Sequence, residues 1–277
     1  MKDSLTEAVS SGFFRKKKIF NTVLTVILLL AAVFNLLPFL WMLSTSFRVG
    51  QIPGLRPDNY KAVWSEVSFG LYYLNTFKVA AAITVGQLFC CSTAAYAFAK
   101  LNFRFKNIIF MLFIASMMLP WQAVMIPQFQ IVQALGMYDT HRGYILAFTF
   151  SVFGIFMLRQ FFLGIPVEIS EAAKIDGCSE WRLYWQIILP LSKTGLSTLG
   201  IFCFTAIWND YLAPLIYINS DRLRTIQLGL QSFQTEHSMD YGVMMAGTAC
   251  ALLPMMLIFA FGEKYFTQSI AFSGMKN

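Results

Sequence analysis

The chain has 277 residues, 57% of them apolar and only 13% charged, with a formal net charge of +7 and a mean hydropathy of +0.60. Roughly a quarter of a soluble domain's residues are charged, so this composition excludes a soluble domain and implies an all-α integral membrane protein. The positive excess implies no nucleic-acid partner. It reads as a topology signal, because Lys and Arg accumulate on the cytoplasmic side of short membrane loops.

Residues 1–18 form a short basic lead ending in Arg15, Lys16, Lys17 and Lys18. Windows of about 20 apolar residues, the length that crosses a hydrocarbon core of about 30 Å, predict six spans at 19–43, 74–99, 108–128, 143–163, 194–218 and 241–261. The first apolar run is too long for a cleaved secretion signal and lacks a small-x-small site, so it is expected to remain as an anchor. With the N-terminus inside, fourteen Lys and Arg fall on inner segments and seven on outer ones. That split predicts both termini inside, residues 19–262 as the membrane domain and 263–277 as a cytoplasmic tail.

Pro38 can kink the first span. The outer segment after it holds turn-rich 52–54 and 56–60, with room for a short interfacial helix around Asn59 to Glu66. Ala82, Gly86, Cys90 and Ala94 place a stripe of small side chains on the second span, which lets another helix approach closely. Phe103, Arg104, Phe105 and Lys106 alternate ring and cation in a short inner loop, a pattern suited to snorkelling. The third span contains Pro120, with Ser116, Trp121 and Gln122 beside the expected break, and Pro127 closes its apolar stretch. The sixth carries Gly242, Ala246 and Cys250, then Pro254.

The fifth span is the least ordinary, because Trp208-Asn209-Asp210-Tyr211 lies within it and Pro214 should free the Asp210 carbonyl. A carboxylate inside a span is expensive and points to function, and broken helices are where transporters commonly hold substrate. Two readings stay open: a substrate pathway, or a brace at the kink.

From Ile165 to Ser192 the chain turns polar. Pro166 suits a first helical turn, and Glu168 and Glu171 favour the positive end of a helix dipole, in a helix running to about Ile175. Gly177 fits the left-handed position that ends helices, and Ser179-Glu180 reads as the cap and first turn of a second helix. Trp181, Tyr184, Trp185 and Ile188 would give that helix one aromatic face on the membrane interface, with Pro190 stopping it. The first helix would project from the bilayer, Ala172 and Ala173 allowing close approach and Glu171 and Asp176 offering charge pairing.

No G-x-x-x-x-G-K stretch occurs, so the chain is expected to bind no nucleotide in a phosphate loop. There is no Ser/His/Asp or H-E-x-x-H arrangement, so no catalytic residue is assigned. Cys90, Cys91, Cys178, Cys203 and Cys250 have no metal-ligand spacing, and His141 and His237 lie far apart. A pore subunit driven by another protein is the main expectation, and a self-sufficient ion-coupled carrier or channel its rival.

The ordered set Glu171-Ala172-Ala173, Asp176-Gly177 and Ile188-Leu189-Pro190, ahead of the penultimate span, resembles the EAA loop of the membrane subunits of bacterial ABC importers. Pro57-Asp58-Asn59-Tyr60, Asn75-Thr76, the run 94–99, Arg159-Gln160-Phe161-Phe162, Trp208-Asn209-Asp210-Tyr211 and Pro214-Leu215 are similar to carbohydrate-uptake permeases, in particular the six-span, MalG-type subunit of maltose-type systems. The resemblance implies a multi-pass protein of the bacterial cytoplasmic membrane, paired with a related MalF-type permease. It further implies two cytoplasmic ABC ATPase subunits that bind ATP and Mg, and an extracytoplasmic solute-binding protein delivering a sugar, an oligosaccharide by expectation. A polyol, sugar phosphate, peptide or amino acid is the alternative cargo. By the same resemblance Glu171 to Gly177 would be the coupling helix seated in an ATPase cleft. The tail with Ser273, Gly274 and Lys276 would reach between the ATPases, although its ending departs from the glycine-rich pattern, and a frayed terminus stays open.

Overall fold

The computed structural model describes residues 2–48, 57–66, 68–231, 233 and 240–274, with side chains described from residue 18 to 262 within those ranges except at 19 and 66. Every regular element among them is helical. Helix α1, Lys2–Ser46, carries an apolar stretch over Phe20–Ser46 and keeps Pro38 inside it. Its end is held by α2, Asp58–Glu66, the short helix expected there. Buried Asn59 donates to the Ser46 and Arg48 carbonyls, both at 2.8 Å, satisfying backbone acceptors that a helix end leaves open.

The central element is α3, Phe69–Lys100, 32 residues long. At about 1.5 Å per residue it is longer than the hydrocarbon core is thick, so it also carries residues on either side of the predicted span. Its deepest positions are Phe69, Val79, Ala80, Ile83, Cys91 and Ala95. The predicted small stripe, Ala82, Gly86, Cys90 and Ala94, lies only half buried beside that seam. Gly86 still marks a close approach: an added Cβ would stand 2.7 Å from the Thr149 methyl. Asn75 donates to the Arg222 and Arg224 carbonyls, and Thr76 accepts from the Ile226 amide at 2.7 Å. These bonds fix the chain leading into α13, Ile226–Gln231.

The predicted third span is two helices, α4 at Lys106–Ser116 and α5 at Trp121–Ala134, bent by 103°. Pro120, with φ −64° and no N–H to donate, is the residue from which α5 restarts. Pro127 does not close the stretch but lies within α5. The predicted fourth span divides into α6, His141–Phe148, and α7, Val152–Leu163, bent by 45°. Ser151 caps α7 by accepting from the Gly154 amide, and the Phe148 carbonyl freed at the break accepts from Gln87 at 2.7 Å.

After the polar segment, α11, Lys193–Trp208, and α12, Leu212–Tyr217, replace one fifth span. Helix α14, Tyr241–Gly274, is apolar through Gly262. Three helices are long and apolar enough to cross a membrane, or up to six spans exist if each bent pair counts as one. Leu28, Leu30 and Phe34 on α1 stay more than half exposed, as suits a surface facing lipid or a partner helix.

Candidate functional site

Residues 165–192 fold as the two helical pieces that their caps imply. Helix α8 is Val167–Ile175, with Pro166 at its N-cap and Asp176 at its C-cap. Gly177 has φ +79°; its amide donates to the Lys174 carbonyl at 3.1 Å, and the Cys178 amide to the Ala173 carbonyl at 2.9 Å. That is a Schellman ending, which needs the left-handed residue that glycine supplies without strain. Ser179 then caps the next helix, accepting from the Arg182 amide. That helix runs as α9, Glu180–Leu183, through a π turn at Tyr184–Ile188 into α10, Leu189–Leu191. Pro190 lies inside α10 rather than stopping it, and the chain turns by 77° into α11 beyond it.

The expected single aromatic face is divided. Trp181 and Trp185 point outward, 65% and 52% exposed, whereas Tyr184 and Ile188 are buried with Leu183 against α3 and α7. A π turn widens the helix to about five residues between bonded partners, which shifts residues after Tyr184 off the 3.6-residue face.

Three bonds fasten the segment to α3 at four-residue intervals. Ser92 Oγ and Tyr184 Oη share a buried hydrogen bond of 2.7 Å. Tyr96 Oη donates to Glu180 Oε2 at 2.6 Å. Lys100 Nζ donates to the Ile165 carbonyl at 2.8 Å. Positions separated by four share one helix face, so one stripe of α3 holds the start of the polar segment and the first turns of its second helix. Glu180 also pairs with Lys174 of α8 at 2.6 Å. The Lys174 ammonium, and after it the Tyr96 hydroxyl, hold the Glu180 carboxyl below the usual carboxylate range. Glu180 therefore ties α8 to α3 through one side chain.

The residues singled out for partner contact fall into two groups. Glu171, Ala172, Asp176 and Gly177 are exposed, with Val167 and Ile175 beside them at 56% and 86%. Ala173 is buried at the base of α8, Ile188 is fully buried and Leu189 packs beside it. Those three help to seat the segment on α3 and α7. The motif's outward chemistry is carried by Glu171, Ala172, Asp176 and Gly177, with Pro190 exposed apart from them.

The fifth-span cluster also separates by side chain. Trp208 is fully buried and donates to the Ala251 carbonyl on α14 at 3.0 Å. Asn209 folds back to the Thr205 carbonyl at 2.9 Å, and Tyr211 donates to Gln231 at 2.7 Å. Asp210 accepts from Tyr144 Oη at 2.8 Å and from the Ala213 amide at 3.2 Å. It thus starts α12 and joins it to α6, which describes a brace at a broken helix. Asn209 and Tyr211 are the exposed members. Ser273 and Gly274 lie in the last turn of α14, and Lys276 lies outside the described residues.

Sequence reasoning missed Tyr96, Ser92 and Lys100 as one stripe, and Lys174–Glu180 as its link to α8. A hydroxyl, a phenol and an ammonium at spacing four in an otherwise small and apolar helix were the available signal.

A highly apolar chain whose described elements are all helical, with broken helices and one exposed, glycine-ended helix bolted to its central span, defines a transport-type membrane subunit. Residues 87–271 match the family described as binding-protein-dependent transport system inner membrane component, and the chain belongs to that family of ABC importer permeases. It is 30% identical over 271 residues to the arabinooligosaccharides transport system permease protein AraQ of Bacillus subtilis (strain 168), covering 93% of this chain and 96% of the relative. It is 32% identical over 220 residues to the sn-glycerol-3-phosphate transport system permease protein UgpE of Pectobacterium atrosepticum, covering 76% and 78%. In fold it is similar to a chain of a bacterial ABC transporter involved in the import of the acidic polysaccharide alginate, with a TM-score of 0.81, 24% identity and coverage of 91% and 98%. As the family description says, it is an inner-membrane component.

Proposed function

We propose that the chain is one of two membrane subunits of an ATP-driven importer that passes an oligosaccharide across the bacterial cytoplasmic membrane. In this reading α1, α3 and α14, the bent pairs α4–α5 and α6–α7, and α11 continued by α12 make six spans, with residues 1–18, the segment 165–192 and the tail 263–277 on the cytoplasmic side. A related permease completes the pore, two cytoplasmic ATPase subunits hold ATP and Mg, and an extracytoplasmic binding protein presents the sugar. The chain itself breaks and forms no covalent bond.

The exposed end of α8 carries this reading. Glu171, Ala172, Asp176 and Gly177 would seat in a cleft of an ATPase subunit, and closure of the ATPase pair would push α8. The push has a defined route, because Lys174, Glu180 and Tyr96 connect α8 to α3 by two bonds of 2.6 Å. Helix α3 packs on α6, α7 and α11, so a shift of α3 displaces the three broken or central elements together. In the fifth-span cluster Asn209 and Tyr211 would face cargo, with Asp210 holding the break that exposes them. The tail with Ser273, Gly274 and Lys276 would approach the ATPases.

The oligosaccharide assignment is supported by the names of the arabinooligosaccharide relative and the alginate importer. A sugar phosphate is the second reading, favoured by the glycerol-3-phosphate relative. Proteoliposomes carrying this chain, its partner permease and the ATPases, with the binding protein outside, should accumulate labelled oligosaccharide only with internal ATP. Uptake of a sugar phosphate instead would change the cargo, and flux by the chain alone under an ion gradient would overturn the importer reading.

A further inference from the structure

Away from the segment 165–192, one cleft gathers cations without acids. It measures about 550 Å³ and lies where α3 has ended, α4 begins and α7 nears its last turn. Lys106 and Arg159 enter it from different helices, with the amides of Asn102 and Asn107 and the apolar Phe105 and Ile108 around them. Both cations are held in place. Lys106 Nζ donates to the Leu101 carbonyl at 2.7 Å, and Arg159 Nε to the Phe98 carbonyl at 3.1 Å, its guanidinium 4.1 Å above the Phe110 ring.

Those bonds use one of three ammonium donors and one of five guanidinium donors. No carboxylate lines the cleft, and no ion pair among the described residues includes Lys106 or Arg159. Two cations fixed around one cleft repel each other, and an anion shared between them reverses the sign of that interaction. The surface leading away from the cleft is apolar: α4 has no buried residue, and Ile108 and Leu112, one turn apart, are 54% and 66% exposed. A small free anion would meet the cations and leave that surface bare. An anion on an apolar body would cover both.

We propose that this cleft holds the phosphate of an anionic phospholipid whose acyl chain lies along Ile108 and Leu112. The leaflet is the one facing α8, because Lys100, two residues before the cleft's Asn102, donates to the Ile165 carbonyl just ahead of α8. Lipid phosphate is the chemistry that basic pockets between membrane helices recognise. The site is independent of the cargo and of how α8 meets a partner.

The full chain, assembled with its partner subunits and extracted from the membrane in mild detergent, is examined for retained phospholipid by native mass spectrometry and lipid extraction. Phosphatidylglycerol or cardiolipin should be retained in preference to phosphatidylethanolamine. A Lys106→Ala/Arg159→Gln variant should lose the retained anionic lipid by on the order of tenfold or more. Arg104→Gln removes the same kind of charge from the same loop but outside the cleft, and should change retention by less than about twofold. Lys106→Ala alone gives the same direction if the double variant assembles poorly.

Equal retention by native and double variant overturns the proposal, as does equal loss with Arg104→Gln. An assembly that retains no lipid there assigns the outer face of α4 to a partner helix. Displacement of the lipid by millimolar inorganic phosphate assigns the cleft to a free anion. Either result overturns it too.

Discussion

Tyr96 donates its phenolic proton to Glu180 at 2.6 Å, joining residues 84 positions apart in the chain. Glu180 in turn receives the Lys174 ammonium at 2.6 Å. The carboxylate stands between a helix that is exposed to a partner and the helix at the centre of the bundle.

If force passes through that carboxylate, its removal should separate ATP hydrolysis from transport. Glu180→Gln keeps the shape but loses the charge that holds Lys174, and Tyr96→Phe removes the donor while leaving the ring. Each should lower sugar uptake about tenfold while ATPase activity of the assembled transporter falls less than about twofold; a tenfold change in rate corresponds to about 1.4 kcal/mol in the barrier. A parallel fall of both activities in either variant would mean that the link only holds the segment folded.

The same pair has a defined pH window. Lys174 and then Tyr96 depress the Glu180 carboxyl below its ordinary value, which is about 4.3 in an unfolded chain. A carboxyl depressed in the folded state contributes stability above the unfolded value and loses it as pH falls through the folded value. The difference in melting temperature between native protein and Glu180→Gln should therefore stay constant from about pH 8 to about pH 5.5 and shrink only below about pH 4. Lys174 and Glu180 are each about half exposed, so added salt should also reduce the difference. A difference already narrowing at neutral pH would assign it to another group.

Much of this arrangement could be read from residue order, and the unread part has a physical cause. The cap residues gave the ends of α8 and the start of α9 because Pro166, Gly177 and Ser179 act locally, through φ and short side-chain bonds. Hydropathy found six apolar stretches, but it carries no term for the direction of a helix. Pro120 and the polar residues beside it marked a break before Trp121, but the 103° size of the bend was not legible. Burial within the motif was hidden for a similar reason: Ala172 and Ala173 are equally small, and only packing on α3 and α7 decides that the second faces inward. The stripe Ser92, Tyr96 and Lys100 was legible as spacing, but its meaning required knowing that residues 165–192 fold back along it.

Gly177 separates a backbone requirement from a steric one. Its φ is +79°, and an added Cβ would meet nothing within 4 Å in this chain. Gly177→Ala should cost about 1 kcal/mol through left-handed strain alone. Asn tolerates that conformation better, so Gly177→Asn should recover most of the stability while still adding bulk at the exposed end of α8. If this end seats in an ATPase cleft, Gly177→Asn should weaken co-purification of the ATPase despite near-native melting. Full ATPase retention in Gly177→Asn would show that nothing closes over this position.

Asp210 tests whether the break in the fifth span is held from within. Its two oxygens accept from Tyr144 Oη and the Ala213 amide, on two different helices. Asp210→Ala leaves a buried phenol and a helix-end amide without their acceptor, a loss of about 1–3 kcal/mol. Asn keeps one oxygen and should lose less. Tyr144→Phe removes the phenolic donor, so combining it with Asp210→Ala should cost clearly less than the sum of the two single changes. Melting of the four proteins in detergent gives that difference directly. Strict additivity would show that Tyr144 and Asp210 do not support each other. A change in sugar affinity in Asp210→Asn without a change in melting would instead place the carboxylate on the path of the cargo.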